Sequence, residues 1–192
     1  YKNVGDAACT YHVGKDGRIE FPVLGSIYVE GGTLSAQRMR WGSKASSELS
    51  KVVQTGGTFI LDGNTRPGIW MGEEDNQPCH LSLLGGELRT PTVNGKKTIA
   101  RGGTHKGSFL GNGGKLIATA ASPRPASDDN APFFGWIDEA KVGAKGFTLD
   151  SQSFAVNVEQ DFENEDAEEG VLVKAGSGTL SYSGVCDVST LK

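Results

Sequence analysis

Three histidines, three cysteines, three tryptophans and several close-set carboxylates are the residues of this 192-residue chain that could do chemistry. Cys79 and His80 are adjacent, whereas a cysteine nucleophile and its histidine base are ordinarily assembled from distant segments. His12, His80 and His105 stand singly, without the spacing of a zinc site. There is no HExxH or GxSxG pattern, and Gly111-Asn112-Gly113-Gly114-Lys115 lacks the spacing and hydroxyl of a phosphate loop. Asp138-Glu139 is the most suggestive carboxylate pair. Neighbours on a strand point to opposite faces, so the two cannot both line a glycosidase cleft, whose acids stand roughly 5–9.5 Å apart. No catalytic residue is therefore assigned. Asp138 can still bind, and with Trp70 and Trp136 as stacking platforms it forms the candidate glycan-contact set. Glu159, Asp161, Glu163, Glu165, Asp166, Glu168 and Glu169 form an acid-rich run. Ca²⁺ takes six to eight oxygens, but the run lacks the order of a calcium loop and is expected to be solvated. No metal or cofactor is expected.

The remaining composition narrows the class. A net charge of -4, with no lysine- or arginine-rich block, excludes a phosphate-tracking surface and hence nucleic acid as partner. No apolar run approaches the roughly 18 residues a membrane helix needs, so no membrane insertion is expected. The chain opens on Tyr1, as a chain that has lost a secretory leader would. The expected location is extracellular or at the cell surface. There Cys9, Cys79 and Cys186 are disulfide candidates, with one pair and one odd thiol and all three pairings open.

The elements that would position these groups are short strands. Ile19, Phe21 and Val23 alternate with Arg18, Glu20 and Pro22, and Phe154, Val156 and Val158 repeat the period of two. Glycine, 28 residues of the chain, punctuates the apolar runs. Thr58 to Gly72 reads as a core hairpin, and so do Thr90 to Arg101 around Asn94-Gly95 and Gly107 to Ala121. Ser46 to Val53 is the one helix candidate, capped by serine and stopped by Gly56-Gly57. Ser122 to Pro132 is a long exposed loop. No internal repeat stands out. The pattern predicts an all-β fold, an immunoglobulin-like or jelly-roll antiparallel sandwich with at most one or two short helices, in a single domain over 1–192.

Two resemblances attach to particular residues. Phe134-Gly135-Trp136-Ile137-Asp138-Glu139 is similar to the Gly-x-Ile-Asp-Glu segment of laminin-G-like jelly rolls. The order Asp16-Gly17-Arg18-Ile19-Glu20-Phe21, Gly25-Ser26-Ile27, Trp41-Gly42, Leu49 to Gly57, Ile69-Trp70-Met71-Gly72 and Phe133-Phe134-Gly135 resembles bacterial fimbrial subunits of the K88 (F4) type. That second resemblance implies a structural or adhesive subunit of an extracellular filament, not an enzyme. It implies copies of itself, a periplasmic chaperone and an outer-membrane usher as partners, and a host glycan as a target. It also implies assembly by β-strand donation, with 1–24 as the donor extension and Ile19, Phe21 and Val23 as the inserting residues. The alternatives are a secreted glycan-binding jelly-roll module or a glycan-degrading enzyme.

Overall fold

The computed structural model describes residues 2–3, 10–12, 17–21, 25–41, 49–63, 68–71, 78–95, 107–122, 131–165, 169–188 and 190–191. Its strands follow one another in eight coils. The first holds β1 (Lys2–Asn3), β2 (Thr10–His12) and β3 (Arg18–Phe21), and the second β4 (Ser26–Val29), β5 (Thr33–Ala36) and β6 (Arg38–Trp41). Next come β7 (Ser50–Gln54), β8 (Thr58–Leu61) and β9 (Ile69–Trp70), then β10 (Cys79–Leu83), β11 (Glu87–Thr90) and β12 (Val93–Asn94). The fifth coil is β13 (Gly107–Gly111), β14 (Lys115–Ala118) and β15 (Phe134–Gly135), and the sixth β16 (Glu139–Val142), β17 (Phe147–Asp150) and β18 (Val156–Glu159). The chain ends in β19 (Phe162–Asn164), β20 (Val171–Ala175), β21 (Leu180–Tyr182), and then β22 (Cys186–Asp187) and β23 (Thr190–Leu191).

No strand pairs with the next in sequence. Each lies parallel to the strand one coil later, giving sheets of eight, eight and seven strands. Sheet A begins β1-β4-β7, sheet B β2-β5-β8 and sheet C β3-β6-β9. Ile27 faces Val52 (27 to 52, 25 residues) and Lys141 faces Glu163 (141 to 163, 22 residues), so each coil returns to the same three-sided path. The fold is a parallel β-solenoid.

Stacking in register turns period-two alternation into apolar columns. Ile27, Val52, Leu81, Phe109 and Ala140 fill the core from sheet A; Leu34, Phe59, Leu88, Leu116 and Leu149 from sheet B; Met39, Ile69, Val93, Phe134 and Val158 from sheet C. Each such side chain contributes about 1.5–3 kcal/mol by leaving water. The corner between sheets A and B is a repeated glycine pair. Gly57 has φ 65° and Gly86 φ 71°, and a Cβ on Gly86 would lie 2.4 Å from the Gly57 oxygen. These turns therefore stack backbone on backbone. The buried Gln54 side chain braces one of them, its Nε2 lying 3.2 Å from the Gly57 oxygen and 3.0 Å from that of Glu87.

This corrects the expected antiparallel sandwich and the donor-strand assembly built on it. Local alternation is identical in the two architectures, and only the pairing partner differs. Gly56-Gly57 and Gly113-Gly114 turn the chain onto the next face, so Thr58–Leu61 and Ile69–Trp70 lie in different sheets and form no hairpin, as is true of β13 and β14. Asn94-Gly95 likewise closes no hairpin, because β12 pairs with β9 and β15. The helix expected over Ser46 to Val53 is strand β7 from Ser50 on, with alternating burial, and Leu49 is 49% exposed. Two adjacent valines, Val52 and Val53, suit opposite faces of a strand better than a helix. Among the described residues there is no helix. The absence of a repeat is corrected too, since Gly31-Gly32, Gly56-Gly57, Gly85-Gly86 and Gly113-Gly114 recur at successive coils. Arg18–Phe21 is an intrachain strand paired with Arg38–Trp41. Ile19 packs on the core, whereas Val23 and most of 1–24 lie outside the described residues.

Candidate ligand-binding face

The outer face of sheet C carries a register column running Arg40, Trp70, Asn94, Gly135, Glu159. These positions alternate with the inward Met39, Ile69, Val93, Phe134 and Val158, so their side chains point away from the core. Trp136 follows Gly135 at the corner towards sheet A, with φ 60°. A non-glycine residue there carries strain of about 1–3 kcal/mol, and the surroundings must hold it. They do so on two sides. A Cβ on Gly95 would lie 1.7 Å from the Trp136 oxygen, so only glycine lets the coil below approach. From the coil above, the buried Gln160 accepts the Ile137 N–H at 2.8 Å and donates to the Ile137 oxygen at 3.0 Å.

Held in this way, the half-exposed Trp136 indole donates its Nε1–H to Glu159 Oε2 at 3.0 Å. Asn157 Nδ2 donates to Glu159 Oε1 at 3.0 Å, and the Ser122 hydroxyl donates to Asn157 Oδ1 at 2.7 Å. The Asn157 backbone N–H returns to Ser122 Oγ at 2.8 Å. The result is an aromatic ring beside a carboxylate whose two oxygens are each fixed by one donor. Each oxygen keeps capacity for a further hydroxyl.

Of the predicted contacts, Trp70 and Trp136 come to this one face, with β9 and β15 two coils apart, about 10 Å at the usual strand spacing. Asp138 does not join them. Its Oδ2 accepts the Gly107 N–H at 2.6 Å, and Glu139 stands on sheet A paired with Lys141 at 2.7 Å. Trp41 lies in β6, with its side chain outside the described residues. The acid-rich run is distributed around the coil. Glu159 belongs to the tryptophan network, Asp161 accepts the Val185 N–H at 2.6 Å, and Glu165 accepts from Asn112 at 3.1 Å. Among the described residues no group of histidine, cysteine and carboxylate side chains could hold a metal. Cys79 and Cys186 are free thiols in coils four apart, too distant to pair with one another, and Cys9 lies outside the described residues.

A second polar cluster lies on sheet A. His80 Nδ1 is 2.7 Å from Ser108 Oγ, and Ser82 Oγ is 2.6 Å from His80 Nε2. Ser108 Oγ in turn lies 3.5 Å from the Cys79 oxygen, so the consistent assignment has Nδ1–H donating to Ser108 and Ser82 donating to Nε2. Burial pushes the imidazole below the usual 6.5, opposed by the Glu139 charge and aided by Lys51. The folded protein thus resists a proton that the unfolded chain accepts near pH 6.5. Stability is fully present above that value and falls as pH drops from there towards the lowered folded value. His80→Asn should flatten this loss. Melting temperatures of both proteins at pH 5 and pH 7.5 check it, and equal losses for the two would refute it.

Sequence reading missed Asn94, Ser122, Asn157 and Glu159 as site residues. Aligning the glycine pairs coil by coil would have put Asn94 beside Trp70. Comparison with protein-family models, curated proteins and solved structures finds no match to this chain.

Proposed function

We propose that this chain is an adhesive extracellular module, a rigid β-solenoid that presents the outer face of sheet C to a glycan. The observation that carries this is Trp136, fixed at φ 60° with its indole N–H on Glu159. A ring beside an oriented carboxylate and carboxamide combines what a pyranose offers, an apolar face and a rim of hydroxyls. Trp70 on the same face adds a second platform at roughly the span of two sugar residues. The parallel ladder keeps the two in fixed relation at little entropic cost on binding.

The test is an array of immobilised neutral oligosaccharides probed with wild type and Trp136→Gly. Glycine adopts φ 60° without strain, so this variant loses the ring while relaxing the backbone. Binding should fall about 10–100-fold, the range for a central aromatic contact. Arg89→Ala on sheet B serves as control and should bind as wild type does. An array without signal, or equal binding by Trp136→Gly, refutes the reading.

A further inference from the structure

The side chain of Asn94 is 2% exposed, and neither its Oδ1 nor its Nδ2 has a hydrogen-bond partner. Among the described residues the only other such atom is Gln54 Oε1, and the Gln54 nitrogen is well engaged with turn carbonyls. Asn94 is therefore alone in leaving a whole carboxamide unused. Its position gives that a direction. It stands in the outer column between Trp70, one coil below, and Gly135, one coil above. A side chain at Gly135 would meet the Pro132 ring, 2.8 Å from a Cβ placed there. The carboxamide thus sits in a slot between an indole and a proline, on the face that carries the Trp136 network.

We infer that Asn94 is the specificity contact of this face and that its ligand group is a vicinal diol of a neutral saccharide. The inference rests on the glycan reading above. A carboxamide sets one acceptor beside two donors. A carboxylate would supply acceptors alone and an ammonium donors alone, leaving half of Asn94 unsatisfied. Two adjacent hydroxyls supply one O–H and one lone pair side by side, and so meet both ends. The slot is closed in this structure, and the half-exposed Trp70 ring is the neighbour that must move. It goes from covering Asn94 to stacking on the sugar.

The experiment prints each neutral oligosaccharide twice, once untreated and once after mild periodate, which cleaves vicinal diols. Wild type should bind the untreated spots at least 10-fold better. Asn94→Leu, close to asparagine in shape, should lose that preference, and sugar binding should change tryptophan fluorescence in wild type but not in Trp70→Phe. Asn94→Leu should also melt about 2–10 °C higher, because it removes an unsatisfied buried group. Retained binding with no periodate effect, or with Asn94→Leu unchanged, overturns this inference while leaving the glycan reading intact. An array silent for wild type fails both. A lower melting temperature for Asn94→Leu would show that the carboxamide is already partnered, and would also overturn it.

Discussion

Gly86→Val should lower the melting temperature by about 10 °C or more, or prevent folding altogether. Gly86 has φ 71°, and its missing Cβ would lie 2.4 Å from the Gly57 oxygen and 2.6 Å from the Gly56 carbonyl carbon. Adopting that φ costs an L-residue about 1–2 kcal/mol, and forcing extra atoms into packed surroundings about 1–3 kcal/mol more. The turn below cannot yield easily. A Cβ on Gly57 would itself lie 2.6 Å from the Gly31 carbonyl carbon, so a shift at one corner propagates down the stack. A loss of about 2–5 kcal/mol is a large part of the usual total of roughly 5–15 kcal/mol. The contrasting variant is Gly107→Ala, whose new Cβ would find its nearest neighbour at 3.5 Å. It should melt within about 3 °C of wild type, the span of a 1 kcal/mol change in a chain of this size. Thermal melts by circular dichroism separate the two, and a Gly86→Val melt matching wild type would remove the stacked-turn account of this corner.

Phe134→Ala should cost about 3–5 kcal/mol, the range for deleting a fully buried phenylalanine. Phe134 is 0% exposed and sits among three other rings. Phe109 meets it edge-on at 4.9 Å, Phe162 stacks at 5.3 Å and Phe147 lies at 6.4 Å. Their coils cannot close the void, because each is held at the strand spacing by ladders on three sides. In a solenoid each coil touches only its neighbours, so a cavity in the fifth coil weakens the join between the two halves of the stack. Urea unfolding followed by tryptophan fluorescence should show a lower midpoint. The half-buried Phe154→Ala should move it far less. A Phe134→Ala loss under about 1 kcal/mol would mean the aromatic cluster is looser than drawn.

Much of the secondary structure was legible. The alternation in Arg18–Phe21, Ser26–Val29 and Val156–Glu159 marks strands because side chains on a strand must alternate, whatever the strand pairs with. Ser50–Gln54 was misread, since a serine before a glutamate and two valines also fits a capped helical turn, and the ladder on both sides of β7 overrides that preference. Trp70 and Trp136 were named as contacts from residue type alone. Asn94 and Glu159 were not, because nothing local distinguishes them from other polar residues between strands.

The amino-acid sequence by itself determined that the chain is all strand and turn, where apolar side chains alternate, and that glycine must occupy the corners. Tertiary structure alone decided which strand lies beside which. A short glycine turn can reverse the chain into a hairpin or deflect it onto the next face, and the choice depends on partners some 22–31 residues away. Glycine pairs at 31–32, 56–57, 85–86 and 113–114 recorded that choice, but segments of unequal length at the other corners hid the period. The candidate site has the same origin. Residues 70, 94, 135 and 159 share no local pattern, and parallel in-register stacking makes them neighbours.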